Sequence, residues 1–279
     1  SAFPARQARL NLQQDDPDTR GFAMTDAILL RDDNKGVATL TLNSPKSLNA
    51  LSDAMLAALQ SQFDALADDR SIRAIILKGE GKAFCAGHDL KEMTAGRQAE
   101  DGGAAYFADL FSRCATMMQT ILRLPQPVIA QVHGIATAAG CQLVATCDMA
   151  IAAEGTRFGV NGVNIGLFCS TPMVALSRNI PRKQAFRMLT TGQFIDAQRA
   201  EQLGLINSSV PHDQLDAATR DLANTVAAKL ASAVKIGKQA YYAQLQMPLD
   251  QAYAFTGQVM VENLLNRETK EGIAAFIEK

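Results

Sequence analysis

Apolar positions along the first two thirds of the chain switch between two periods. Residues 37–42 and 74–77 are short apolar runs of the kind that form buried strands, whereas 51–66 places its apolar residues at helical spacing. The same rhythm returns further on: 107–124 reads as a helix, 127–132 as an apolar strand, 136–145 as a helix of small residues and 149–153 as another strand. Strands separated by helices predict an α/β protein built from stacked crossover units. From residue 181 onward the pattern turns almost wholly helical, over 181–189, 196–203, 212–230, 233–245 and 249–265, with Pro181, Pro211 and Pro248 at positions suited to helix starts. Apolar residues of this tail, among them Met247, Phe255, Met260, Leu264, Phe276 and Ile277, need a surface to pack on. Either another subunit or the chain's own core supplies it.

The pattern divides the chain into a leader (1–26), a core (27–210) and a C-terminal helical region (211–279). The leader is polar and carries Asp15, Asp16 and Asp18, which argues against a secretory signal or an intact mitochondrial transit peptide and reads as a flexible segment. Residues 95–105, with Gly96, Gly102 and Gly103, lack apolar periodicity and mark either a surface connection or a mobile loop at a site mouth.

With 279 residues, 48% of them hydrophobic, the chain is long enough for one large core and a smaller appendage. A net charge of −1, with both signs interleaved, gives no broad basic field, so neither nucleic acid nor a membrane surface is an expected partner. The longest apolar stretches are interrupted by Gln131, His133, Gln142 and Asp148, too soon for a membrane span. Cys85, Cys114, Cys141, Cys147 and Cys169 are odd in number and lack the paired short spacings of a zinc site; they read as reduced core thiols, with no metal site expected.

The candidate chemistry lies in two glycine-centred turns, Phe84-Cys85-Ala86-Gly87-His88-Asp89-Leu90 and His133-Gly134-Ile135-Ala136-Thr137-Ala138-Ala139-Gly140-Cys141-Gln142. Each follows an apolar strand-like run and leads into a helix-like stretch, where N–H groups are unpaired and small residues admit a ligand to the main chain. Two such turns brought together would hold one developing oxyanion between them. Neither offers an obvious catalytic carboxylate.

From about residue 28 to the C-terminus the chain resembles the crotonase superfamily, the enoyl-CoA hydratase/isomerase family. The resemblance is carried by Ser44-Pro45-Lys46-Ser47-Leu48-Asn49-Ala50-Leu51, by residues 82–93 and 133–150, and by Leu189-Thr190-Thr191-Gly192 followed by 197–205. It implies a crotonase spiral of β-β-α turns with a helical C-terminal trimerisation region, assembled as a homotrimer or a dimer of trimers. It also implies acyl-CoA thioester substrates, with coenzyme A entering as part of the substrate and no permanently bound cofactor. By position, the thioester carbonyl would be held by the main-chain N–H groups of His88 and Ala139. Coenzyme A contacts would fall on Ala50, Leu51, Ala86, Gly87, Asp89 and Leu90, with Lys46, Lys91 and the C-terminal pair Phe276 and Lys279 near its phosphates or a neighbouring subunit's ligand. Gly140, Gly162, Asn164 and Phe168 match substrate-side positions, and Phe84, Met93, Phe107, Leu110 and Leu167 supply further apolar surface for an acyl chain. The setting implied is cytoplasmic, or the mitochondrial matrix for a processed eukaryotic protein.

The chain departs from the hydratase pattern at both glutamates. The first falls on Gln142 and the second on Gly162, and no Asp or Glu occurs between Arg157 and Arg178. Glutamine orients a water but takes no proton at neutral pH. Three side chains are candidates to fill the gap. Ser170 either points at the acyl group or caps a helix before Pro172. His88 sits in Ala86-Gly87-His88-Asp89, a run similar to that of methylmalonyl-CoA decarboxylases. Cys169 has no histidine nearby in sequence and reads as packing. Asn161 and Asn164 either bond a carboxylate or hydroxyl on the acyl group or simply form the turn. The reading is an acyl-CoA-processing protein, nominally an enoyl-CoA hydratase/isomerase with a backbone oxyanion hole; the alternatives are a malonyl-type decarboxylase and a non-catalytic acyl-CoA binder.

Overall fold

The computed structural model describes residues 27–278; the leader 1–26 and Lys279 lie outside the described residues. In chain order the strands are β1 (Leu29–Asn34), β2 (Val37–Leu42), β3 (Ala74–Gly79), β4 (Val128–Val132), β5 (Ile135–Thr137), β6 (Met149–Ala153), β7 (Arg157–Gly159), β8 (Ile195–Asp196) and β9 (Ser208–Val210). Six of them form one sheet in the order β1-β2-β3-β4-β6-β9, and β5-β7-β8 form a second. Pairing in the large sheet is parallel except for the β1–β2 hairpin, whose turn places both Lys35 and Gly36 at positive φ, the geometry of a two-residue hairpin loop. Strands β2 and β4 are buried at every position, which is why they read as continuous apolar runs. The polar stretch Leu29-Leu30-Arg31-Asp32-Asp33-Asn34 gives no such signal; it is a strand because it lies at the sheet edge with its outer half exposed.

The helices are α1 (Asp53–Asp68), α2 (Leu90–Gly96), α3 (Ala104–Arg123), α4 (Ala139–Thr146), α5 (Ser170–Asn179), α6 (Arg182–Thr191), α7 (Ala197–Leu203), α8 (Leu215–Ala227), α9 (Ala231–Gln244), α10 (Leu249–Leu265) and α11 (Arg267–Ile277). Ser52 caps α1 by accepting from Met55 N–H at 3.2 Å, and the helix buries Met55, Leu56, Leu59, Phe63 and Leu66 along one face. With α3 and α4 it covers one side of the large sheet in a single core that includes Leu40, Leu77 and Phe84. Helix α8 packs on the other side, Ala223 against Val37, Ile76 and Ile129, although the pattern places it in the tail.

One expectation is corrected. The helix read over 136–145 is split, because Thr137 N–H donates to Cys85 O at 3.1 Å and draws the first residues into β5; the helix starts only at Ala139. Within residues 95–105, α2 runs to Gly96, Asp101 accepts from Gly103 and Ala105 N–H at 2.9 and 2.8 Å, and the Arg97 guanidinium lies 5.4 Å over the Phe107 ring, the bonding of a surface connection. All five cysteines are free and buried, and burial pushes the thiols of Cys85, Cys114 and Cys141 up to about 12, so they are held as thiols.

The tail is anchored through one buried ion pair. The Lys238 ammonium, on α9, donates to Asp148 Oδ2 at 2.7 Å and to the carbonyls of Ile121 and Gln126 at 2.8 and 2.9 Å. Asp148 also accepts from Tyr242 Oη and from Val128 N–H, both at 2.7 Å. Beyond this anchor, α10 packs on α9 and α11 on α10, leaving Leu249, Tyr253, Leu265, Phe276 and Ile277 exposed. No helix among the described residues is long and apolar enough to cross a membrane.

Lys238→Met would leave the Asp148 carboxylate buried without its counter-charge, a loss of about 3–5 kcal/mol. Tyr242→Phe removes one hydrogen bond to a charged group, about 1.5–3 kcal/mol. Urea unfolding of the two variants should show the larger fall for Lys238→Met.

Candidate functional site

The two glycine-centred turns meet through main-chain contacts. Thr137 N–H donates to Cys85 O, and Cys85 N–H to Ile135 O at 3.2 Å, so the segment after β3 runs alongside β5. Gly140 lies against this segment so closely that a Cβ there would collide with Cys85 O, and a Cβ at Gly134 would collide with Lys82 O. Gly87, at φ +96°, adopts a left-handed conformation, and a Cβ built on it would lie 3.3 Å from Ala139 N. Glycine at these positions is therefore a requirement of backbone approaching backbone. Asn49 holds the assembly from below: its Nδ2 donates to Glu80 O and Ala83 O, both at 2.8 Å, and its Oδ1 accepts from Ser44 N–H at 2.9 Å. The sequence reading quoted Asn49 without giving it this role; its signal was an Asn beside a turn, where left-handed φ is tolerated, and its φ is +54°.

Leu51 N–H donates to Gly87 O at 2.7 Å in a parallel bridge between Leu51 and His88, a pairing that turns His88's own N–H away from Leu51. Ala139 is the first residue of α4, where N–H groups have no intrahelical acceptor and the helix dipole is positive. Neither N–H has an acceptor among the described residues. The preceding residue, Ala138, is at φ +50° and ψ −120°, a strained conformation costing about 1–3 kcal/mol. It is pinned by Ala138 N–H donating to Gly159 O at 2.9 Å and by Ala138 O accepting from Gln142 N–H at 3.0 Å.

The two polar candidate side chains beside these donors, His88 and Gln142, carry no charge at pH 7. The His88 ring is half-buried, with Nδ1 3.4 Å from Leu51 O and the ring 5.6 Å from Phe111, edge to face; Nε2 is buried without a partner. Burial lowers its pKa below the usual value of 6.5, with Arg113 acting in the same direction, so the imidazole is neutral at pH 7. Gln142 is buried, and its Oε1 has no partner. It lies one turn beyond Ala139, and helical side chains lean toward the N-terminus, so the carboxamide points toward the donor end of α4. At Gly162 a Cβ would collide with Leu167 O and sit 2.9 Å from Cys169 Sγ, so this turn has no room for a carboxylate side chain.

Ser170 does not cap α5: Cys169 occupies the cap position with no side-chain bond, and Ser170 is the first helical residue, exposed, its Oγ 3.4 Å from Phe168 O. Asn161 Oδ1 accepts from Thr137 Oγ1 at 2.6 Å and ties its turn to β5, whereas Asn164 packs on Gly192 at the end of α6. Among the coenzyme A candidates, the N–H groups of Ala50, Leu51 and Ala86 already donate to Ser47, Gly87 and Leu48 carbonyls and are not free to bind a ligand. The Asp89 carboxylate caps α2, accepting from Lys91 N–H at 2.8 Å and Glu92 N–H at 3.3 Å. Lys46, Leu90, Lys91 and Phe168 are exposed, Phe276 stands at the exposed end of α11, and Lys279 lies outside the described residues. Among the described residues no group of three or more His, Cys, Asp or Glu is placed to hold a metal ion.

Residues 32–279 match the family model described as enoyl-CoA hydratase/isomerase. The chain is 46% identical to human "Enoyl-CoA hydratase domain-containing protein 3, mitochondrial" over 88% of its own length and 79% of the human protein. Among solved structures, an enoyl-CoA hydratase of Mycobacterium smegmatis superposes with a TM-score of 0.86 at 52% identity, covering 90% of this chain and 96% of that one. The crystal structure of human enoyl-CoA hydratase domain-containing protein 3 gives a TM-score of 0.86 at 44% identity, covering 90% and 97%.

Because His88 stays neutral in the folded chain but protonates near pH 6.5 when unfolded, its contribution to stability is lost as pH falls below 6.5. Urea midpoints measured from pH 7.5 to 5 should therefore fall more steeply for the wild type than for His88→Gln.

Proposed function

Because the chain belongs to the enoyl-CoA hydratase/isomerase family, we propose that it binds acyl-CoA thioesters and stabilises their enolates, the thioester oxygen accepting from the N–H groups of His88 and Ala139. The observation supporting this reading is that the N–H groups of His88 and Ala139 have no acceptor among the described residues and belong to two turns whose close approach requires Gly87 and Gly140. When charge moves from the α-carbon onto the carbonyl oxygen, these preorganised donors meet it, each contributing on the order of 10²–10³ in rate.

The nominal reaction is addition of water to a trans-2-enoyl-CoA, with Gln142 orienting the water. With Gln142 and Gly162 at the two glutamate positions, no general base or acid assists, which costs about 10²–10⁴ for each. The same lack of carboxylates favours a second reading, loss of CO₂ from a malonyl-type thioester. There the carbon–carbon bond breaks, its electron pair passes through the α-carbon to the held oxygen, and no base is needed. No carboxylate at Gln142 or Gly162 repels the substrate's own.

The exposed apolar residues of α10 and α11 support assembly as a homotrimer or a dimer of trimers, in which Phe276 and Lys279 reach a neighbouring subunit's coenzyme A. The mitochondrial name of the human relative supports a matrix setting for a eukaryotic chain; for a bacterial chain the reading is cytoplasmic.

Mass-spectrometric turnover against enoyl-CoA, malonyl-type and saturated acyl-CoA thioesters tests the proposal. Gain of water or loss of CO₂ identifies the reaction. His88→Pro, which deletes one donor, should lower that turnover by about 10²–10³. Gln142→Glu should raise hydration by about 10²–10⁴ and leave any decarboxylation without gain. Binding without turnover of any thioester would leave a binding protein, and failure to bind coenzyme A esters would overturn the reading.

A further inference from the structure

The His88 ring is left with a demand that the chain does not meet. Its Nδ1 lies 3.4 Å from Leu51 O, and a carbonyl oxygen only accepts, so Nδ1 carries the ring proton and Nε2 presents a lone pair. That nitrogen is shielded from solvent and has no partner among the described residues. The charged groups that act on the ring, Arg113 and Asp53, are bonded to each other at 2.7 Å, and Arg113 also donates to Asp109 at 2.6 Å. Tyr106 Oη donates to Asp53 at 3.4 Å. A buried acceptor without a donor is costly, and a ligand that supplies the donor recovers that cost.

The ring belongs to the residue whose main-chain N–H is one of the two donors proposed for the thioester oxygen, and it meets Phe111 of α3 edge to face at 5.6 Å. Phe111 lies one helical turn beyond Phe107 on the same face of α3, and both pack against the core that contains Phe84, Met93 and Leu110. Phe84, Met93, Phe107 and Leu110 are the side chains that the family resemblance sets along an acyl chain. His88 and Phe111 both remain partly exposed, so solvent reaches the pair.

We propose that His88 serves the site twice: its main-chain N–H holds the thioester oxygen, and its Nε2, with the Phe111 ring turned aside, accepts a hydrogen bond from a hydroxyl on the acyl group. Nε2 accepts without taking the proton, so the role is recognition and not base catalysis. An acceptor-only nitrogen selects hydroxyacyl thioesters over saturated ones and works against a carboxylate, which has no proton to give at neutral pH. This rests on the thioester reading above and, of its two reactions, favours the one that forms or consumes a hydroxyl.

Binding of butanoyl-, 3-hydroxybutanoyl- and malonyl-CoA would be measured by calorimetry at pH 8, where the imidazole is neutral. The proteins are the wild type, His88→Phe and His88→Gln, all of which keep a main-chain N–H at position 88. Ratios of affinity within each protein remove any change shared by the three thioesters. The wild type should prefer 3-hydroxybutanoyl-CoA over butanoyl-CoA by about three- to tenfold and bind malonyl-CoA most weakly. His88→Phe, which keeps a ring against Phe111 but offers no acceptor, should abolish the hydroxyl preference; if that variant does not fold, His88→Leu takes its place. His88→Gln should restore the preference through its carboxamide oxygen and relieve the disadvantage of malonyl-CoA, because the same group also donates. Equal wild-type affinity for the hydroxylated and saturated thioesters, a preference that survives loss of the acceptor, or a wild-type preference for malonyl-CoA each overturns the proposal. If the wild type binds none of the three, the thioester reading itself fails, a result distinct from binding without discrimination.

Discussion

The site depends on the approach of one stretch of main chain to another. Residues 82–87 and the stretch from Gly134 to the first turn of α4 come together so tightly that a side chain at Gly134 would strike Lys82 and one at Gly140 would strike Cys85, while Gly87 turns through a left-handed conformation beside Ala139 N. From this contact follow the β5 pairing, the late start of α4 and the strained Ala138 that orients the helix's first N–H. The strain persists because bonds to Gly159 and Gln142 on either side hold Ala138 in place. The approach of the two turns is thus a product of packing, and the donors proposed at positions 88 and 139 are main-chain groups that do not depend on the side chain.

Two polar side chains on the turns that carry these donors, His88 and Gln142, are uncharged at pH 7. His88 is kept neutral by burial, Gln142 carries an unpaired carboxamide oxygen, and Gly162 leaves no room for a side chain. In a low-dielectric setting the attraction between an oxyanion and two N–H groups is strengthened, and so is the cost of any unpaired polar atom left there.

The tail is tied to this core by Lys238, whose three bonds join α9 to the end of α3 and to the strand connection at Asp148. The same anchor forms part of the floor of the groove between α3, α5 and α9, so the position of α9 sets the width of that groove.

Much of the fold was legible in the residues themselves. Buried parallel strands such as β2 and β4 declare themselves as apolar runs, α1 and α3 as helical stripes, and the paired glycine turns as places where main chain must be exposed. The absence of any Asp or Glu between Arg157 and Arg178 is likewise a matter of sequence alone. Tertiary structure decided what depends on distant partners. The polar strand β1 forms only because β2 lies beside it, and Thr137 leaves the helical pattern only because Cys85 O accepts its N–H. Ala50, Leu51 and Ala86 have no free N–H because their acceptors are supplied by turns that sequence periodicity does not describe. The groove bordered by α3, α4, α5 and α9 is formed by helices spread over more than a hundred residues of chain, and no local pattern encodes the space left between them. Local patterning records whether each position is buried; which groups meet there is settled only when the chain has closed on itself.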